Sequence, residues 1–198
     1  MHRGWWKARL PDRARERQSW RGLQGSAGLR FALRFGGISL LLFGAYCFPY
    51  AEVGLSEAFF NAYLDGYTRV VSSILRLFEN GLAVSFNRIH GRFSIEVAKG
   101  CDAMDCNILF TSAILAHTGR WGQKGLALLA GLAAIAGINV VRVVSLYYTG
   151  LYWPSRFSFV HTILWPLLML SLTVALFLVA TALTRRAPKG SLATSVAR

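Results

Sequence analysis

Apolar residues collect into four long runs, Leu29–Tyr50, Ala103–Gly119, Gly125–Thr149 and Phe157–Leu183. Each approaches the ~20 residues that a helix needs to cross a bilayer core. The second is the shortest and has Asp102, Asp105 and Asn107 at its mouth. Counted from Cys101 to Trp121, it would give about 31 Å of helix, enough to span. Between the first two runs the pattern changes twice. From Ser56 to Asn80 a helix is expected, because Phe60, Tyr63, Leu64, Tyr67, Val71, Ile74 and Phe78 share one stripe at about 100° per residue. Asp65, Arg69, Arg76 and Glu79 fall opposite. Ser56 suits its N-cap and Gly81, after Asn80, its stop. Such a helix lies in the membrane interface; a tilted fifth span is the rival, against which the four charges argue. Beyond Gly81, Val84 and Phe86, then Phe93, Ile95 and Val97, alternate with polar residues about His90-Gly91. That predicts a β-hairpin with His90 as an exposed turn residue, lying outside the hydrocarbon because its edges leave backbone groups unpaired. The hairpin leads to Lys99-Gly100-Cys101. The expected fold class is an all-α polytopic membrane protein of about four transmembrane helices, with an extracytoplasmic amphipathic helix and a small β-hairpin.

Composition agrees with that class. Of 198 residues, 54% are apolar and 16% charged, and mean hydropathy is +0.41. Disorder, collagen-like repeats and a disulfide-stapled miniprotein are excluded. The net charge of +13 would suit nucleic acid, but its placement points elsewhere. Nine of the 22 Lys and Arg precede residue 35, while seven of the nine acids lie between Glu52 and Asp105. Arg120 and Lys124 flank the gap between the second and third runs, and Arg185, Arg186, Lys189 and Arg198 close the chain. Short basic loops stay cytoplasmic, so both termini are expected inside, with 51–102 and 150–156 facing outward. No groove-reading motif or zinc spacing accompanies the charge, and no nucleic-acid partner is expected. Residues 1–28 read as an Arg-rich leader, disordered or lying on anionic headgroups. Residues 29–184 form the membrane domain and 185–198 a basic cytoplasmic tail. The first run does not read as a cleaved signal, since its leader is too long and no small-x-small site follows. Cys47 follows Tyr46, too bulky for a lipoprotein site, and reads as a buried apolar residue.

Polar side chains within apolar spans are costly, which makes them functional candidates. Three map to the outer side. Cys101 begins the second run, Arg142 lies about 10 Å below the outer end of the third if that helix ends near Thr149, and His161 opens the fourth. Short outer segments would bring these helices together. Singly, each has a plain structural reading: a buried small hydrophobe, a snorkelling cation, an interface residue. Arg142 is too deep for easy snorkelling and has Asn139 one turn below on the same face. Together, the three suit thiol-based acyl transfer. Only the thiolate is a competent nucleophile, and a cation or a helix N-terminus favours it. Asp102 and Asp105 would oppose it if they face Cys101. Arg142 could stabilise the thiolate and the oxyanion, keeping its charge when desolvated. Asn139 could orient Arg142, and His161 could protonate the leaving amine.

Lys-Gly-Cys101-Asp-Ala-Met-Asp, then Asn139-x-x-Arg142, then His161 ahead of an apolar helix, resembles the exosortase/archaeosortase family. The flanks Arg142-Val-Val-Ser-Leu-Tyr-Tyr-Thr-Gly and Phe-x-x-x-His161-x-x-x-Trp-Pro are most similar to its exosortase H branch. The likeness runs from about Ser85 to Thr184. It implies a multi-spanning cysteine transpeptidase of the bacterial inner membrane, with Cys101, Arg142 and His161 catalytic, Asn139 and Asp102 supporting, and the site on the periplasmic side. Its partners would be membrane lipids and exported proteins ending in a short motif of Ile-Pro-Thr-Leu type, a transmembrane helix and a basic tail. No cofactor and no metal are implied, and no oligomeric state is set. The family usually has Gly two residues after the Cys, where this chain has Ala103, a residue compatible with helix. Cys106 is additional and, five positions along a helix, would point away from Cys101.

Two other readings use the same residues. A thiol-quinone oxidoreductase would need a paired dithiol, for which Cys101 and Cys106 are the outward candidates, and would leave Arg142 without a task. A non-catalytic subunit of an envelope assembly or polysaccharide-export system would hold Arg142 and His161 as structural groups.

Overall fold

The computed structural model describes residues 13–48, 58–98 and 100–186. In chain order they form α1 (Arg13–Cys47), α2 (Ala58–Leu75), β1 (Ala83–Ser85), β2 (Arg88–His90), β3 (Ile95–Glu96), α3 (Met104–Ala116), α4 (Trp121–Tyr152), α5 (Pro154–Phe159) and α6 (Trp165–Arg186), with a π-helical turn at Val160–Leu164. Among the described residues three stretches are long and apolar enough to cross a membrane: Ala27–Cys47, Trp121–Tyr152 and Pro154–Leu183. α2 is not among them.

The second apolar run falls short of the expected span. Its helix has 13 residues, about 20 Å, against a ~30 Å hydrocarbon core. Backbone geometry sets the start: Gly100 (φ 89°) and Ala103 (φ 56°) are both left-handed, so no helix can run through Cys101. At the far end His117 turns extended. α3 is instead the hub of the bundle, packed against α1, α4 and α6. Its core joins Phe110 and Ile114 to Ile135 of α4 and Met169 of α6. Gly131 makes this possible, since a Cβ there would stand 2.1 Å from the Phe110 ring.

α1 begins at Arg13, not at Leu29, so the part of the leader from residue 13 to 28 is helix continuous with the span. No proline interrupts it after Pro11, and Arg, Gln, Glu, Leu and Ala are all good helix formers. The remainder of the leader, Ser56 and residues 187–198 of the tail lie outside the described residues.

A second core forms beside α4. Leu64, Val71 and Leu75 of α2 meet Ile89, Val97, Val143 and Tyr147. The buried face of α2 is turned slightly from the expected stripe: Thr68 and Ser72 are buried, whereas Phe78, beyond the helix end, is exposed. Asp65 and Arg69 pair on the outer side at 2.9 Å.

The expected hairpin is a three-stranded antiparallel sheet, β1-β2-β3. Its tight turn is Phe86-Asn87, closed by Ser85 opposite Arg88. His90 is therefore a strand residue pairing with Ala83, not a turn residue. Alternation still holds, with Ile89 buried between exposed Arg88 and His90. The sheet packs against α2, and the loop between β2 and β3 reaches α4, where Gly150 admits the Phe93 ring; a Cβ there would lie 2.3 Å from it.

Candidate active site

The chain enters the site through the turn at residues 100–103, clamped from three elements. Asp102, 3% exposed, accepts hydrogen bonds from the Tyr46 hydroxyl of α1 (3.1 Å to Oδ2), the Gly100 amide (3.3 Å) and the Met104 amide (3.2 Å). Tyr63 of α2 donates to the Asp102 carbonyl at 3.3 Å. Asn139 of α4, fully buried, donates through Nδ2 to the Cys101 carbonyl at 3.0 Å. An anion one residue before the N-cap also suits the positive end of α3. Asp102 is thus a backbone organiser, its carboxylate occupied by the turn.

This clamp presents the thiol. Cys101 Sγ stands 4.0 Å from His161 Nε2, within reach of a sulfur hydrogen bond. His161 lies in the π-helical turn, and Pro166 explains that turn. Proline gives no N–H to the preceding turn and crowds its carbonyls; the helix widens, and the Trp165 amide bonds back five residues to the Val160 carbonyl. Such bulges re-aim side chains, often at functional sites. The His161 ring stacks on Phe157 (centroids 5.7 Å apart, 12° between planes), which in turn meets Phe93 of the sheet at 5.7 Å. Trp165 anchors the same turn to α4 by donating from Nε1 to Ser145 Oγ at 2.9 Å.

Arg142 completes the cluster from below. α4 runs on to Tyr152, so Arg142 is about 15 Å from the helix end, deeper than expected. It is 6% exposed. Its Nη1 donates to Asn139 Oδ1 at 3.4 Å, so Asn139 bridges the guanidinium to the Cys101 backbone. Among the described residues no carboxylate forms an ion pair with Arg142, and Arg142 Nε and His161 Nδ1 are buried with no hydrogen-bond partner. A buried cation left this incompletely satisfied is costly. It marks a place where a ligand's acceptor would be bound strongly.

Burial raises the Cys101 thiol above its ordinary pKa, Arg142 pulls it down and Asp102 pushes it weakly up. Asp105 has no part in this, so the two acids do not both bear on the sulfur. Burial likewise keeps the Tyr67 phenol of α2 protonated, against Asn139 and Arg142.

All five sequence-derived candidates, Cys101, Arg142, His161, Asn139 and Asp102, meet in one neighbourhood. Tyr46, Tyr63 and Tyr67 were not singled out for it. The signal for the last two was present: phenols at i and i+4 on an otherwise apolar stripe. Tyr46 carried no such mark. Cys106 packs into the α3–α4–α6 core, Cys47 is exposed at the end of α1 and not buried as expected, and all three cysteines are free. Among the described residues no group of three His, Cys, Asp or Glu could hold a metal ion. No family model, curated protein or solved structure matches the chain.

Proposed function

We propose that the protein is a membrane-embedded cysteine protease/transpeptidase, similar to the exosortases, that cleaves C-terminal sorting signals of exported proteins. The observation that carries this reading is the 4.0 Å approach of Cys101 Sγ to His161 Nε2 beside a buried arginine with an open Nε. Thiol, base and oxyanion donor are the three parts that acyl transfer requires.

The resting thiol, raised by burial, gives its proton to His161 Nε2 as the sulfur attacks the scissile carbonyl carbon. The carbonyl electron pair moves to oxygen, and Arg142 stabilises that oxyanion. When the carbonyl re-forms, the C–N bond breaks and His161 returns the proton to the departing amine. The acyl group remains on Cys101 as a thioester. An incoming amine or water, deprotonated by His161, attacks the thioester, the C–S bond breaks and the thiol is restored. Asn139 and Asp102 hold the geometry without touching the substrate. Charge bias favours a periplasmic site and cytoplasmic termini in the bacterial inner membrane, a four-crossing topology in which α3, too short to cross alone, carries the chain between the faces while enclosed by α1, α4 and α6.

The test is coexpression with an exported protein bearing a motif, a transmembrane helix and a basic tail. Cys101→Ala, Arg142→Ala and His161→Ala are expected to abolish processing, and Cys106→Ala to leave it near normal. Equal loss in Cys106→Ala and Cys101→Ala would overturn the peptidase and favour dithiol chemistry. Full processing with Cys101→Ala would remove the nucleophile altogether.

A further inference from the structure

A general base serves a nucleophile only while its ring is held in place. In Ser-His and Cys-His sites a third group commonly accepts a hydrogen bond from the far imidazole nitrogen, fixing both the tautomer and the ring plane. Among the described residues His161 has no such group, because its Nδ1 is buried without a hydrogen-bond partner. For Nε2 to take the proton of Cys101 Sγ, 4.0 Å away, the neutral ring must carry its own proton on Nδ1. That N–H meets no acceptor, so it does not fix the ring's rotation. The χ2 torsion of histidine is broad and supplies little restraint by itself.

The ring lies instead against an aromatic face. Phe157, four residues earlier in the chain, stacks on it with centroids 5.7 Å apart and planes 12° from parallel. Such a pair on a free helix surface would be a weak restraint. Here Phe157 is backed from a separate part of the fold. Phe93, in the loop between β2 and β3, approaches it at 5.7 Å and 52°. Phe93 in turn meets Tyr147 of α4 edge-on at 6.1 Å and sits over Gly150, where a Cβ would stand 2.3 Å from its ring. Tyr147 is fully buried. Four rings in series therefore join the core beside α4 to the imidazole, each in one of the geometries that aromatic pairs favour.

We infer that Phe157 is the positioning residue of His161: its stack takes the place of the missing hydrogen-bond acceptor, with Phe93 backing it. The inference rests on the peptidase reading and adds to it how the base is aimed.

The test is steady-state kinetics of the purified full chain with the tail-bearing substrate. Phe157→Leu keeps apolar bulk and removes the flat face. Its kcat should fall between roughly tenfold and a hundredfold, the latter being the cost of a 1 Å misplacement. KM should not move, since Phe157 aims the base and binds no substrate. Phe157→Tyr restores the face and should restore the rate. Phe159→Leu, at an exposed position of the same short helix, should leave kcat unchanged. Phe93→Leu, which leaves that helix intact, should lower kcat by a smaller factor and add nothing to Phe157→Leu, because both act through one ring. An unchanged kcat in Phe157→Leu or in Phe93→Leu, with Cys101→Ala inactive, would overturn the inference and leave the peptidase standing. So would an equal loss in Phe159→Leu, or a loss in Phe157→Leu that lies in KM. Absence of Cys101-dependent processing by the wild-type chain would instead remove the peptidase reading, and the inference with it.

Discussion

The two ends of α3 are both polar, and they are built on opposite charge. At the start, Asp102 is enclosed by Tyr46, two backbone amides and the Tyr63 contact. There the polar groups answer one another, and the turn is rigid before any ligand arrives. At the other end, the exposed arginines Arg30 and Arg34 of α1 stand with His117 around a cavity. The difference separates a preorganised candidate reaction site, which needs fixed geometry, from a basic end whose positive charge favours one side of the membrane.

The largest effects should fall on one end alone. Cys101→Ala, His161→Ala and Arg142→Ala are each expected to lower processing by at least ~10³-fold, because triad-like groups act as a unit. Arg30→Gln/Arg34→Gln should process substrate near the wild-type rate in detergent. Timed cleavage assays on purified protein check both. A large loss in the arginine pair would show that the two ends are coupled.

Next comes stability at the enclosed end. Asp102→Ala removes the acceptor that the Gly100 and Met104 amides and the Tyr46 hydroxyl share, all part-buried, and about 2 kcal/mol should be lost. Tyr46→Phe removes one partner and should cost about 1 kcal/mol. Denaturant unfolding in detergent measures both, and equal effects would mean that Asp102 is not the organiser.

The thiol should report its surroundings through pH. Burial raises Cys101 and Arg142 opposes it, so the alkylation rate should climb with pH to a midpoint above that of an ordinary thiol. Arg142→Gln removes the lowering influence and should move that midpoint higher still. The measurement uses a Cys47→Ser/Cys106→Ser background. An unmoved midpoint would place the guanidinium out of electrical reach of the sulfur.

How much of this could be seen in the chain alone differs by region. The apolar runs and their depth-marked polar residues located α4, α6 and the Cys101, Arg142 and His161 cluster, because burying such groups leaves a clear mark in an apolar stretch. Periodicity also found α2 and the alternating strands. It misplaced the hairpin turn, since Phe86-Asn87 carries no glycine and His90-Gly91 looked more turn-like. It also overran α3, where apolar composition continues but the backbone does not. Tyr46 was hidden because a tyrosine near the end of an apolar run is ordinary, and its partners Gly100 and Asp102 lie more than fifty residues later. The basic cavity was legible as charge but not as a shape, which needs α1 and α3 side by side.

The finest prediction concerns that overrun. Taken as the first turn of a helix, Ala103 would need no explanation, and glycine there would weaken the helix by roughly 0.5–1 kcal/mol. The turn instead holds Ala103 at φ 56°, where a Cβ costs roughly 1–2 kcal/mol. Glycine relieves that cost and gives back part of the gain through a freer unfolded chain. Ala103→Gly should therefore stabilise the protein by about 1 kcal/mol and leave processing intact, whereas the β-branched Ala103→Val should destabilise it. Loss of stability in Ala103→Gly would restore the longer helix starting at Cys101, and with it a thiol on a helix face instead of one presented by a clamped turn.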